Sequence, residues 1–212
     1  MELSTMTKTN VSQDGSNQAF KVLQEHFQLK TKSFNKNELI LNPSTDKNAM
    51  GIMSGGIAYL ATINLNYQKR ILDYYEVNDI FCHQTMLGLG NNSYSIFAKA
   101  KCTVAFLDYR EFMKENNVAL MKLHEGLIIN SVSRNLQHIE ILSQLTLRHK
   151  LLSYFDYRRK KNNSNNFILP ISLSELADYL AVDRSAMMRE LGKMREEKLI
   201  CSTGRKITIL EG

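Results

Sequence analysis

Apolar and polar residues alternate strictly over one stretch in the first half of the chain, residues 94–106. The positions on its more apolar side are Tyr94, Ile96, Ala98, Ala100, Cys102, Val104 and Phe106. A period of two is typical of a half-buried β-strand, so the stretch predicts one strand. Segments around residues 38–41, 56–65 and 70–77 predict shorter strands between turn-rich stretches. Several short strands at close spacing favour a small antiparallel β-barrel or sandwich.

A helical pattern replaces the strands near Asp108. From there to residue 159 the chain has no proline and a single glycine, Gly126. Four apolar residues recur at spacings of three and four, which is the seam of a coiled coil: Ile129, Val132, Leu136 and Ile139. A second copy of the helix would cover this stripe, so we predict a homodimer. The alternative is that the stripe packs along the chain's own barrel.

Polar segments precede and follow these elements. Residues 1–17 are polar and aperiodic, which predicts a mobile arm. A helix is predicted at about residues 147–159, and the polar run 160–166 after it predicts a loop. The loop separates this helix from a small C-terminal unit.

The C-terminal unit begins with the helix-start signal Ser-x-x-Glu at Ser172 and Glu175. In such a capping box each side chain satisfies a backbone N–H of the partner residue. A short helix, a three-residue turn at residues 181–183 and a longer helix follow, with Asp183 in the N-cap position. This order predicts a helix-turn-helix.

The longer helix has two faces when its residues are placed about 100° apart. Met187, Leu191 and Met194 share the face suited to a core. The other face is suited to the major groove, where arginine binds guanine and a methyl group contacts thymine; its candidate DNA-binding residues are Arg184, Ser185, Met188 and Arg189.

A predicted hairpin near Gly204 carries Arg205 and Lys206 at its tip, which are candidate phosphate contacts of a wing. The alternative for the whole unit is a structural helical domain with an exposed basic face.

The distribution of net charge along the chain favours a polyanionic partner. The 212 residues carry a net charge of +6, of which residues 1–145 hold 14 basic and 13 acidic side chains, a net +1. Residues 146–212 hold 13 basic and 8 acidic side chains, a net +5. A compact basic region on a near-neutral body favours double-stranded DNA as the partner.

Composition excludes several other classes of protein. Hydrophobic residues make up 43% of the chain, as in a folded globular protein. No apolar run approaches the roughly 18 residues of a membrane span, and no secretory signal is visible. The cysteines at positions 82, 102 and 201 form no disulfide framework, so we expect a cytoplasmic protein. No catalytic or metal-ligand constellation is recognisable, so we predict neither an enzyme nor a metal site.

Residues 20–212 resemble the Crp/Fnr family (cAMP receptor protein / fumarate-nitrate regulator) of bacterial transcription regulators. Residues 78–82 resemble the family's Gly-Asp-x-Phe-Gly turn, residues 97–112 its last barrel strand and exit helix, and residues 184–191 its recognition helix. The resemblance implies an α+β fold: a cyclic-nucleotide-binding-like antiparallel β-barrel (jelly roll), a dimerisation helix and a winged helix-turn-helix. The corresponding domains are residues 1–113, 114–145 and 146–212.

The resemblance also implies a function. Members bind palindromic operators as dimers, respond to an effector in the barrel and, as activators, contact RNA polymerase. It indicates Arg184 and Arg189 as the main base readers. Ser185 stands where members often have glutamate, so we expect a different operator from that of the cAMP receptor protein.

Departures from the family concern the effector. His83 replaces the glutamate that holds a ribose, and Asn92-Ser93 replaces an Arg-Ser or Arg-Thr pair that holds a cyclic phosphate. This argues against cyclic AMP and leaves His83, Asn92 and Ser93 as candidate contacts to an unidentified effector. Three cysteines cannot supply the four ligands of an iron–sulfur cluster.

Two alternatives to a conventional effector stay open. Cys82 and His83 could serve a haem- or thiol-based redox or gas sensor, since thiolate and imidazole both ligate haem. A constitutive DNA binder with an empty barrel is the other alternative.

Overall fold

The computed structural model describes residues 13–42, 45–46, 48–63, 69–82 and 94–210. The strands are β1 (Lys30–Phe34), β2 (Leu39–Leu41), β3 (Ala49–Gly55), β4 (Ala58–Ile63), β5 (Lys69–Tyr75), β6 (Ile80–Cys82), β7 (Tyr94–Ala98), β8 (Cys102–Asp108), β9 (Asn166–Ile168), β10 (Ile200–Thr203) and β11 (Lys206–Ile209). The helices are α1 (Gln13–His26), α2 (Tyr109–Lys114), α3 (Val118–Ser143), α4 (Leu147–Asn162), α5 (Leu173–Tyr179) and α6 (Arg184–Glu196).

Two four-stranded antiparallel sheets form a jelly-roll-like sandwich in the N-terminal half. Their strand orders are β1-β8-β3-β6 and β2-β7-β4-β5. Apolar side chains from both sheets meet between them, among them Phe34, Met53, Leu60, Phe81 and Ile96. The two sheets are separate hydrogen-bonded ladders over the described residues, so the predicted β-fold is a sandwich of jelly-roll type.

Helices cover the outer face of the first sheet. Met50 and Ile52 of β3 and Leu107 of β8 point to this side and contact Leu23 of α1 and Leu120 of α3. Strands β3 and β8 of the first sheet are therefore buried on both faces, whereas β1 is exposed apart from Phe34.

The C-terminal domain covers the outer face of the second sheet. This domain contains the third sheet of the molecule, with the strand order β10-β11-β9. Tyr59, Ala61, Tyr74 and Phe97 of the jelly roll lie in the same apolar cluster as the core of α4, α5 and α6. The two domains therefore share one hydrophobic interface.

Two helices joined by three residues connect the domains. Asn117 caps α3 by accepting the N–H of Ala119 (2.8 Å), and Thr146 caps α4 by accepting the N–H of His149 (3.2 Å). Between them α3 ends at Ser143. The sequence here has no proline or glycine, so the break depends on these caps and on packing.

Two sequence expectations about polar segments are corrected. The predicted arm at residues 1–17 overlaps α1, which begins at Gln13 and is anchored by the fully buried Leu23. The predicted loop at 160–166 is shorter, because α4 continues to Asn162 and β9 begins at Asn166. Asn163 ends the helix in the left-handed conformation (φ 48°), which asparagine tolerates.

The single strand expected over residues 94–106 is two strands in different sheets. β7 ends at Ala98 and β8 begins at Cys102, and both of these side chains are buried between the sheets. The two positions differ by four in the sequence, an even number, so the alternation continues in phase across the corner. A periodicity argument therefore does not detect the corner. Strands β1, β3 and β6 were not individually predicted.

Within the described residues, none of the helices is both long and apolar enough to span a membrane.

Candidate nucleic-acid interface

The helix-turn-helix is held by the caps that its sequence predicts. The Ser172 N–H donates to Glu175 Oε2 (2.8 Å) and the Glu175 N–H donates to Ser172 Oγ (3.3 Å), so the capping box is formed. The turn places Ala181 at φ 52° and ends at Asp183, which accepts the N–H of Ala186 (2.7 Å). These local bonds fix where α5 and α6 begin.

Helix α6 has one buried face and one exposed face, as its sequence predicts. Met187, Leu191 and Met194 are at most 2% exposed and form part of the domain core. The structure places Arg184, Ser185, Met188 and Arg189 together in solvent, and Met188 is 38% exposed. We call these four residues the recognition face.

A two-stranded wing follows α6. β10 and β11 are antiparallel, with Ile200 opposite Ile209 at one end and Thr203 opposite Lys206 at the other. Gly204 turns the chain between them with φ 57°. Arg205 and Lys206 are exposed at its tip. The Arg205 guanidinium also donates to the backbone oxygen of Leu169 (3.3 Å), so Arg205 is tied to the domain.

A further arginine, Arg148, links α4 to the end of α6 that lies beyond the recognition face. Arg148, in the first turn of α4, is hydrogen-bonded to Glu190 and makes a two-bond contact with Glu197 (2.6 and 2.8 Å). These bonds lower the pKa of the Glu197 carboxyl and raise that of Arg148. Sequence reasoning did not find this contact, because about 40 residues separate its partners and no local pattern marks it.

The helix α3 leaves its predicted stripe uncovered. Ile129, Val132, Leu136 and Ile139 are 51–62% exposed, and three further apolar residues continue the exposed face towards the N-terminus: Val118, Met121 and Ile128. The opposite side of α3 packs on its own chain through the buried Leu120 and Ile141. The described part of the chain therefore provides no cover for this stripe.

The predicted effector contacts His83, Asn92 and Ser93 lie outside the described residues. Cys82 is the last residue of β6, and His83 follows it outside that range. Cys102 is buried, and burial raises the pKa of its thiol, whereas Cys201 on the wing is exposed. Over the ranges that the structure describes, no group of three or more His, Cys, Asp or Glu residues could hold a metal ion.

Comparison with known proteins identifies what this chain is similar to. The model of the Crp-like helix-turn-helix domain matches residues 142–211. A probable transcriptional regulator, Flp of Lacticaseibacillus casei, is 25% identical over 185 residues, which are 82% of this chain and 80% of that protein. Residues 142–211 are thus a Crp-like helix-turn-helix domain, and most of the chain is similar to a transcription regulator rather than to an enzyme.

Solved structures support the fold of the whole chain. FixK2 from Bradyrhizobium japonicum superposes with a TM-score of 0.73 at 14% identity, covering 87% of this chain and 94% of that one. A CooA variant from Carboxydothermus hydrogenoformans superposes with a TM-score of 0.74 at 16% identity, covering 91% of each chain. The similarity extends through the jelly roll as well as the DNA-binding domain.

Proposed function

We propose that the regulator binds a palindromic DNA operator as a homodimer, with the recognition face in the major groove and the wing on the backbone. The observation that carries the proposal is the division of α6 into a fully buried face and an exposed face that carries Arg184 and Arg189. Arginine reads guanine through two hydrogen bonds, and Met188 supplies an apolar contact for a thymine methyl. The exposed wing cations suit phosphate contacts, which add affinity without sequence preference.

The homodimer is supported by the exposed stripe of α3. From Val118 to Ile139 the stripe runs along about 32 Å of helix at a rise of about 1.5 Å per residue. An exposed apolar surface of this length favours a partner, and a second copy presents the same stripe by symmetry.

We further propose that an unidentified effector acts through the jelly roll at His83, Asn92 and Ser93, and that the regulator contacts RNA polymerase if it is an activator. The family resemblance supports both statements. Because its target is genomic DNA, we place its action in the cytoplasm.

Selection of binding sites from random DNA at one fixed salt concentration tests this function. We expect a two-fold-symmetric site with half-sites separated by about one helical turn, 10–10.5 base pairs. The matched control is the protein with Arg184→Ala and Arg189→Ala, which should enrich no site. Recovery of an asymmetric site, or equal enrichment by the control, would contradict the proposal.

A further inference from the structure

A turn of the jelly roll holds the DNA-binding domain through paired charges. Glu76 lies between β5 and β6, and its carboxylate accepts two hydrogen bonds from the Arg158 guanidinium of α4 (2.8 and 3.2 Å). The ammonium group of Lys161 donates to the same carboxylate (2.7 Å). The Arg158 side chain is only 5% exposed, so this contact is largely removed from water.

The long helix joins the same cluster. Arg134 of α3 pairs with Asp73 (3.4 Å) and Asp79 (3.6 Å), and its guanidinium lies 4.9 Å from the centre of the Tyr75 ring. Lys161 also approaches Asp79 (3.8 Å). We call Asp73, Glu76, Asp79, Arg134, Arg158 and Lys161 the docking cluster: three carboxylates of the jelly roll face three cations of α3 and α4.

The turn that carries Glu76 is fixed to the sheet beneath it. The Glu76 N–H donates to Asp79 Oδ2 (2.7 Å), and the Asp79 N–H donates back to the Glu76 backbone oxygen (2.9 Å). The Asn78 N–H donates to Met53 of β3 (2.8 Å), and the Met53 N–H donates to Asp79 (3.0 Å). Because of these bonds, Glu76 and β3 are held together as one unit.

Further contacts extend the interface towards α5. Lys99 of the jelly roll is ion-paired with Glu175. Tyr179 of α5 lies 6.0 Å from Tyr74 and stacks on His138 of α3, with ring centroids 4.0 Å apart and planes at 4°. The recognition face and the wing tip, Arg205 and Lys206, lie outside these contacts and stay exposed.

The covalent link alone would not orient the domain. Residues 144–146 join α3 to α4, and Leu145 within them is 97% exposed. Rotation about such a short exposed linker is limited chiefly by contacts elsewhere, and a bidentate arginine–carboxylate pair constrains direction as well as distance.

We propose that Glu76 is a positioning residue for DNA binding: through Arg158 and Lys161 it fixes the DNA-binding domain against its own jelly roll and so sets the half-site separation that the dimer recognises. This inference rests on the proposed binding of a palindromic operator by a dimer. In such a dimer the two recognition faces are rigidly spaced only if each domain is rigidly docked.

The proposal is tested by how strongly the variant Glu76→Gln prefers the native operator to one with a wider half-site separation. The affinity of the full-length protein is measured for its selected operator, for the same operator with two base pairs inserted at the centre, and for a single half-site. The insertion rotates one half-site by about 70°, so a rigid dimer should bind it poorly. We expect Glu76→Gln to lower the affinity ratio of the native to the widened operator about tenfold, the factor that one charge-assisted hydrogen bond is worth.

Asp156→Asn is the matched control. Asp156 also lies on α4, and its cation partners among the described residues, Arg159 and Lys160, belong to the same helix. The substitution Asp156→Asn removes one negative charge, as Glu76→Gln does, but affects no contact with the jelly roll. It should therefore leave the affinity ratio unchanged. Arg158→Lys, which keeps the charge but not the two-bond geometry, should lower the ratio by a smaller factor and carries the test if Glu76→Gln fails to fold.

The outcomes separate the two proposals. An unchanged ratio in Glu76→Gln, with wild-type discrimination intact, would overturn the positioning role alone. A wild-type protein that sediments as a monomer would overturn the proposed dimer and the positioning role with it. A wild-type dimer that binds both operators equally would overturn the positioning role alone. Loss of half-site affinity in Glu76→Gln would show damage to the DNA-binding domain itself and would also contradict the proposal.

Discussion

At the scale of single residues, the exposed cations of the recognition face and the wing are of two kinds. Arg189 lies on the recognition face of a helix whose other side is buried, so it can reach base edges. Lys206 lies at the tip of a hairpin, where a lysine meets phosphate as a flexible point charge. The two should therefore differ in what they contribute to binding, one to specificity and the other to general affinity.

Substitution of each by alanine tests this division. Arg189→Ala should reduce affinity for the selected operator by about 1–3 kcal/mol and relax the preference at one base pair of each half-site. Lys206→Ala should weaken binding to all sequences alike and reduce the slope of log affinity against log salt by about 1. Titrations of matched and mismatched duplexes at several salt concentrations measure both effects. Identical behaviour of the two variants would contradict the assignment of the recognition face.

At the scale of elements, short helices depend on their caps. α5 has seven residues, and Ser172 and Glu175 satisfy backbone N–H groups at its start. So short a helix has little intrinsic stability, and the packing of Leu176 and Ala177 depends on its forming in this register.

Ser172→Ala should therefore destabilise the chain by about 1 kcal/mol, because an N-cap hydrogen bond is lost. Urea unfolding monitored by circular dichroism measures the change. Ser174→Ala, within the same helix, is the control and should shift the free energy of unfolding by less than about 0.5 kcal/mol. Equal effects of the two substitutions would show that the capping box adds nothing.

The long helix α3 has two different apolar sides. One side packs on the jelly roll, and the other carries the exposed stripe from Val118 to Ile139. A charge placed in the middle of the stripe would be buried without a partner in a dimer and would remain solvated in a monomer.

Leu136→Glu should shift the protein from dimer to monomer in sedimentation equilibrium while leaving its circular dichroism spectrum unchanged. Asn130→Glu introduces the same charge at an exposed position of α3 outside the stripe and should leave the dimer intact. A dimer that survives Leu136→Glu would mean that another surface joins the copies.

At the scale of the whole molecule, the docking cluster makes stability depend on pH. Burial alone would raise the pKa of Glu76, but the hydrogen bond from Arg158 and the charge of Lys161 lower it from 4.5 to about 2. The groups that face this carboxylate are Arg158 and Lys161 of α4, Asp79 of its own turn, and Tyr154 and Tyr157 beside them. The ionised form is therefore favoured in the folded state.

A carboxyl whose pKa is lower when folded stabilises the protein above its unfolded pKa and loses that contribution as pH falls through its folded pKa. We expect wild type to exceed Glu76→Gln in unfolding free energy at pH 6, by an amount on the order of 3 kcal/mol, and this difference to shrink as pH falls from about 5 to 2. Chemical unfolding of both proteins across this range measures it. A difference that stays constant with pH would contradict the assignment.

Prediction from sequence succeeded where the signal is local. The capping box, the N-cap Asp183 and the two faces of α6 depend on residues within one or two helical turns, and the structure confirms all three. It failed at the corner between β7 and β8, because alternation in phase across a turn is indistinguishable from one strand. It also missed Arg148 behind the recognition helix, whose partners are remote in sequence.

The sequence by itself determined which face of α6 is buried, where the helices of the DNA-binding domain begin and that the basic excess lies in the last third of the chain. These depend on residue spacing, hydrogen-bonding capacity and charge count, which the order of residues contains. Only the tertiary structure decided that Glu76 meets Arg158 and that the second sheet shares its core with α5. Such contacts join segments about 80 residues or more apart, and they follow from how the sheets and helices stack, which no local pattern encodes.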